Sequence, residues 1–127
     1  MPLVRIDLQR GKDAAYRRKV GQVVYDAMVA TAGVPQDDRF QIIGEHAADD
    51  FIFDPNYLDI HRTNDLIIIQ IVFNEGRSIA QKQALYKAIA EGLVASLNVR
   101  PEDVFISLVE VKKENWSFGN GVAQYVS

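Results

Sequence analysis

Among the residues that can do chemistry, the proline at position two stands out. Removal of Met1, favoured when the second residue is small, would leave Pro2 as a secondary amine whose ring fixes the direction of its nitrogen. An ordinary α-amino group titrates near about 8, and desolvation or a neighbouring cation lowers that value towards neutrality. Such an amine is a general base. A proline at position two is also commonplace, so its chemical reading depends on what the rest of the chain brings to it.

Arg77 stands directly before Ser78, where a helix is expected to begin. Exposed backbone N–H groups and the helix dipole favour an anion there. Arg77 therefore reads either as the anchor of a substrate carboxylate or as a solvated loop arginine. Asp38 follows the Pro35 turn at the head of a strand, and local turn or cap duty would satisfy it as well as chemistry would. Trp116 and Phe118 place two large rings in a turn-rich tail, where they either wall a pocket or close a core or interface. His46 and His61 lack metal-ligand spacing and read as surface residues. No Ser-His-Asp elbow, phosphate-cradling glycine loop or dinucleotide fingerprint occurs, so neither metal nor cofactor is expected.

Composition narrows the partners. The chain has 127 residues, a net charge of −3, 48% hydrophobic and 24% charged residues and no cysteine. This is the make-up of one ordinary globular domain, 1–127, without disulfides or Cys-ligated metal. No basic excess is interleaved with aromatics, so nucleic acid is not an expected partner. The start, Met1 to Asp7, carries charges at alternate positions and no apolar stretch like that of a signal peptide. A cytoplasmic protein without membrane contact is expected.

The elements that must position these residues are written twice. A shift of 65 lays residues 2–43 over 67–108 without a gap, with identities such as Ile6/Ile71, Gly11/Gly76, Val34/Val99, Asp38/Asp103 and Phe40/Phe105. In the first copy Leu3, Val4, Ile6 and Leu8 predict a strand that ends at Gln9 to Lys12. Asp13 then caps a helix whose apolar face is Tyr16, Val20, Val23, Val24, Ala27 and Met28. Gly33 and Pro35 end it, and Arg39 to Ile43 resumes a strand. The second copy runs from the apolar strand 66–73, through the capping box Ser78/Gln81 and a helix with Leu85, Ile89, Leu93 and Leu97, to the strand 104–111. The segment 44–64 is turn-rich, and the tail from Trp116 predicts turns and a short hairpin.

These units predict an α/β (α+β) fold: two β-α-β repeats forming a four-stranded sheet with both helices on one face. The strand 66–73 is too apolar to leave the other face in water, which points to oligomerisation. The alternative is a monomer whose tail and central loop cover that face.

The residues together resemble the tautomerase superfamily, in the branch of malonate semialdehyde decarboxylase. The resemblance spans nearly the whole chain. It is carried by Pro2-Leu3, Tyr25 to Val29, Gly33-Val34-Pro35, Asp38 to Ile42, Arg77-Ser78 with Gln81-Lys82, and Trp116-Ser117-Phe118-Gly119. It implies a tautomerase-like fold, a homotrimer, and a catalytic Pro2 that shuttles a proton as a neutral amine or polarises a substrate as a protonated one. It also implies that Arg77 holds the substrate carboxylate, that Asp38 assists the proline or positions water, and that Trp116 and Phe118 are pocket walls.

One departure bears on activity. The decarboxylase carries two arginines spaced by a proline, whereas this chain reads Asn74-Glu75-Gly76-Arg77, leaving one. A carboxylate on one guanidinium is held less firmly than one clamped by two. The expected function is a cofactor-independent tautomerase acting on a small 2-oxo or enol acid, phenylpyruvate-like in kind. Decarboxylation or hydration of a 3-oxo acid, and a non-catalytic binding module, are the alternatives.

Overall fold

The computed structural model describes residues 2–126. Chain order is β1 (Leu3–Gln9), α1 (Ala14–Thr31), β2 (Gln41–His46), β3 (Ile67–Asn74), α2 (Ile79–Leu97) and β4 (Val104–Val111). β1 pairs parallel with β2, β3 pairs parallel with β4, and β1 meets β3 antiparallel, so the sheet order is β2-β1-β3-β4. Arg5 faces Gln70 across the central pair. Because these residues are 65 positions apart, a local twofold passes between them and exchanges the two β-α-β units.

The period-two pattern of the central strands explains the core. Val4, Ile6 and Leu8 of β1 and Ile67, Ile69, Ile71 and Phe73 of β3 are buried in one cluster with the inward faces of both helices. α1 supplies Val20, Val23, Val24, Ala27 and Met28, and α2 supplies Leu85, Ile89 and Leu93. Each of these side chains larger than alanine stabilises the fold by about 1.5–3 kcal/mol relative to exposure.

Both helix starts are fixed locally. Asp13 accepts from the Tyr16 N–H at 2.8 Å. Ser78 accepts from the Gln81 N–H at 3.1 Å, while the Gln81 side chain accepts from the Ser78 N–H at 3.0 Å. The turns feeding these caps require glycine, because Gly11 and Gly76 sit at φ 129° and 122°, where a side chain is strained.

Three expectations change. β2 begins at Gln41, not Arg39, because Arg39 turns its guanidinium onto the Gln22 and Gln41 side chains and over the Tyr25 ring. β2 also runs on through His46, so the irregular connection starts after it. The tail holds turns and no strand among the described residues. Gly119, Asn120 and Gly121 all take positive φ, so the chain turns tightly there.

The sheet face away from the helices stays open in the single chain. Ile42, Phe105 and Val109 on that face are 47%, 43% and 37% exposed. No helix among the described residues is long and apolar enough to cross a membrane.

Candidate active site

Pro2 lies immediately before β1 and is buried. The strand start is held by the Val4 N–H, which donates to the Phe40 carbonyl at 3.0 Å, so the first residues are sewn to the segment leading into β2. The tail then returns across this corner. Pro2, Leu3, Phe40, Trp116, Ser117 and Phe118 line one cavity of about 230 Å³. The fold thus brings together three of the five residues the sequence singled out.

The aromatic wall is built by stacking. The Trp116 and Phe118 rings lie 5.3 Å apart at 18°, and Tyr125 meets Phe118 edge-on at 5.0 Å and 75°. Such pairs contribute about 0.5–1.5 kcal/mol beyond area burial. Gln124 closes the turn beneath them, accepting from the Phe118 N–H at 2.8 Å and donating to the Gly119 carbonyl at 2.7 Å. An amine in such a wall is drawn from water, which disfavours its charged form.

Asp38 does not line the cavity. It stands close enough to Tyr125 for its charge to act there: burial pushes the Tyr125 hydroxyl up from its ordinary value, and Asp38 pushes it further. Burial likewise raises the Asp38 carboxyl. Asp103, at the same place in the second unit, is fully buried and accepts from the Thr63 N–H at 2.7 Å and the Thr63 hydroxyl at 2.6 Å. Local turn duty, the alternative weighed for Asp38, is not what its counterpart Asp103 performs, because the Asp103 partner is 40 residues away.

Arg77 also lies outside the lining, one residue removed. The Trp116 Nε1–H donates to the Asn74 side-chain oxygen at 2.8 Å, and the Asn74 carbonyl accepts from Arg77 Nη1 at 3.0 Å. Arg77 Nε donates to the Ala32 carbonyl at 2.8 Å, and the guanidinium lies 4.4 Å from the Phe73 ring centroid. Burial lowers its pKa from the ordinary arginine value, with the charge of Glu110 opposing. A solvated loop arginine is thus excluded: this one is half-buried and bound to neutral carbonyls. Its counterpart in the first unit, Lys12, is instead paired with Asp65 at 3.1 Å. Glu75, next but one in sequence, is exposed and makes no ion pair with Arg77 among the described residues.

Sequence reasoning missed Asn74 and Tyr125. Nothing local marks Asn74, since its bond to Trp116 spans 42 residues. Tyr125 carried a weak signal as a third ring near the Trp116 and Phe118 pair. His46 is a correction: it is half-buried, bonded through Nε2 to Asp7 Oδ1 at 2.6 Å and stacked on Phe51, because its strand position aims it at β1. His61 is exposed as expected, bonded to Asn56.

Two β-α-β units carrying a buried proline at the head of the first strand define a class, and sequence comparison agrees with it. Two families described as tautomerase enzymes match, one over residues 38–119 and the other over residues 2–59. "Probable tautomerase YusQ" of Bacillus subtilis (strain 168) is 40% identical over 126 residues, 99% of each chain. "Probable tautomerase YrdN" of the same organism is 34% identical over 127 residues, 100% of this chain and 98% of that one. The chain belongs to the tautomerase family and is an enzyme of that superfamily.

Solved structures refine the branch. A malonate semialdehyde decarboxylase, known in wild-type, mutant and inactivated forms, superposes with a TM-score of 0.90 at 29% identity over 97% of this chain and 95% of its own. A second malonate semialdehyde decarboxylase, inhibited by 3-bromopropiolate, gives 0.89 at 39% identity over 97% and 93%. A fused 4-OT symmetric trimer shares the fold, with a TM-score of 0.76 at 23% identity over 94% of each chain. Within the superfamily the chain falls in the malonate semialdehyde decarboxylase-like branch.

Proposed function

We propose that this chain is a cofactor-independent tautomerase that moves a proton between carbon and oxygen in a small 2-oxo or enol acid. The Pro2 amine, freed by loss of Met1, is base and then acid. The observation that carries this reading is the buried Pro2 sharing a cavity with Trp116 and Phe118. In the forward sense the neutral amine takes a proton from the carbon next to the carbonyl. That C–H electron pair becomes the carbon–carbon double bond, and the carbonyl π pair moves to oxygen. The ammonium proton is then delivered to that oxygen, and no electrons are gained or lost. General acid–base transfer of this kind supplies about 10²–10⁴-fold.

Arg77 anchors the substrate carboxylate in this reading. Its hydrogen bonds go to neutral carbonyls and it makes no ion pair among the described residues, which suits it to an incoming anion. Placing negative charge near it also stabilises the enolate as it forms. Asp38, at the rim beside Tyr125, is a secondary helper. Trp116 and Phe118 exclude water and hold the amine pKa down. The open sheet face beyond the cavities is covered by further copies in a homotrimer, a reading supported by its exposed Ile42 and Val109.

Likeness to the two malonate semialdehyde decarboxylases favours a second reading. There the protonated Pro2 amine polarises a 3-oxo acid for decarboxylation or hydration, and Arg77 is again required. Carbon dioxide release from malonate semialdehyde, set beside ketonisation of phenylpyruvate enol, separates the two readings. The tautomerase reading is tested by first showing by intact mass that Met1 is absent. Pro2→Ala is then expected to slow ketonisation by about 10²-fold or more. An unchanged rate overturns the assignment.

A further inference from the structure

The local twofold that exchanges the two units also carries the walls of the Pro2 cavity onto a second cavity. Leu3 and Ile68, Phe40 and Phe105, Ser117 and Ile52, and Phe118 and Phe53 are pairs 65 positions apart. The first member of each pair lines the Pro2 cavity. The second members line a cavity of about 240 Å³ on the other unit. Even the supporting ring is repeated: Phe51, the counterpart of Trp116, is buried and meets Phe53 edge-on at 6.0 Å.

What differs is the chemistry at the centre. Where the first cavity has Pro2, the second has continuous chain. Leu66 lines it with an amide N–H that donates to the Thr63 carbonyl at 3.1 Å, and Ile67 is already inside β3. An amide is no base, so proton transfer of the Pro2 kind is absent there. Arg62 enters the lining instead. Its Nη1 donates to the Tyr57 carbonyl at 3.0 Å and the Ile60 carbonyl at 3.1 Å, which pins the guanidinium. Nε and Nη2 make no hydrogen bond, and the group makes no ion pair, among the described residues. Asp54 also lines the cavity, with Oδ1 accepting from the Asn56 N–H at 2.8 Å.

We propose that this second cavity is a non-catalytic binding site for a small organic acid. The carboxylate is held by the Nε and Nη2 donors of Arg62, and the apolar body lies against Ile52, Phe53, Ile68 and Phe105. A pinned guanidinium with its Nε and Nη2 edge open presents the parallel pair of donors that a carboxylate accepts, and the apolar walls supply the rest of the contact area. The inference stands on the repeat and on Arg62, and does not depend on what Pro2 does.

The experiment is a titration of the methyl-labelled full chain with 3-phenylpropionate, which cannot tautomerise, followed by NMR. Saturable shifts are expected at the Ile52 and Ile68 methyls. Arg62→Gln is expected to weaken that binding by about tenfold or more, while shifts at Leu3, which report the Pro2 cavity, keep their midpoint. Ile52 is 91% exposed, so Ile52→Glu opposes a carboxylate without disturbing the core and gives the same weakening should Arg62→Gln fail to fold. Phenylpropanol, lacking the charge, is expected to bind at least about tenfold more weakly. Absence of saturable shifts at Ile52 and Ile68, equal binding of the alcohol, or unchanged affinity in a folded Arg62→Gln chain would overturn the proposal.

Discussion

Asp38 and Asp103 occupy the same place in the two β-α-β units and have opposite lives. Asp103 is fully buried, with both oxygens accepting from Thr63 and Oδ2 also meeting Arg100 Nη1 at 3.5 Å, so it ties the segment before β3 to the turn before β4. Asp38 is half-buried beside the Pro2 cavity, its carboxyl raised by burial. The repeat aligns from Pro2 with Ile67 onward, so Thr63, the segment that holds Asp103, lies outside it. Duplication supplied one geometry twice. The chemistry we propose sits in the unit of Pro2 and Asp38, and the other unit keeps the strut.

Several substitutions sharpen or break that contrast. Asp103→Asn turns one acceptor into a donor facing Thr63 and should cost about 2–3 kcal/mol in urea unfolding. Asp38→Asn should cost less than that while lowering kcat/KM, and equal stability losses would erase the distinction. Next comes Asn74→Leu, which removes the acceptor for Trp116 and is expected to raise KM by about tenfold and shift the emission of the chain's one tryptophan. Its counterpart Gln9→Leu should leave turnover unchanged.

Ser78→Ala removes half of a reciprocal cap and should cost about 1 kcal/mol. Asp13→Ala, at a cap with a single side-chain bond, should cost no more. The smallest effect concerns pH. The Lys82 hydrogen bond holds the Glu110 carboxyl below the ordinary glutamate value. Because the folded pKa is depressed, this contribution is present above the unfolded pKa and is lost as pH falls through the folded one. In Lys82→Met that small component is gone, so stability near neutrality should fall slightly, and the difference from the parent chain should vanish as pH falls through the acid range.

Much of this was legible in the residues because it is locally encoded. Alternation in β1 and β3, helical spacing of Val20 to Met28 and Leu85 to Leu93, and the caps at Asp13 and Ser78 each act within a few positions, and the structure places them as read. The ends of elements were less legible. Arg39 looks like strand sequence, yet side-chain bonds to Gln22 and Gln41 hold it short of β2. The tail looks like a hairpin, yet its described residues form turns and no strand. Within the candidate site, Pro2, Trp116 and Phe118 announced themselves by type. The link from Trp116 through Asn74 to Arg77 did not, because it is made by tertiary contact between β3 and a tail that carries no pattern of its own.

The account rests on the state of one nitrogen, and ¹⁵N NMR of a chain labelled at proline reads it directly. Followed across pH beside kcat/KM for enol ketonisation, the Pro2 nitrogen should titrate below the ordinary value of about 8, and the rate should rise with pH through the same midpoint. A Pro2 nitrogen still in peptide linkage to Met1, or one that titrates at its ordinary value while the rate ignores it, would contradict the account.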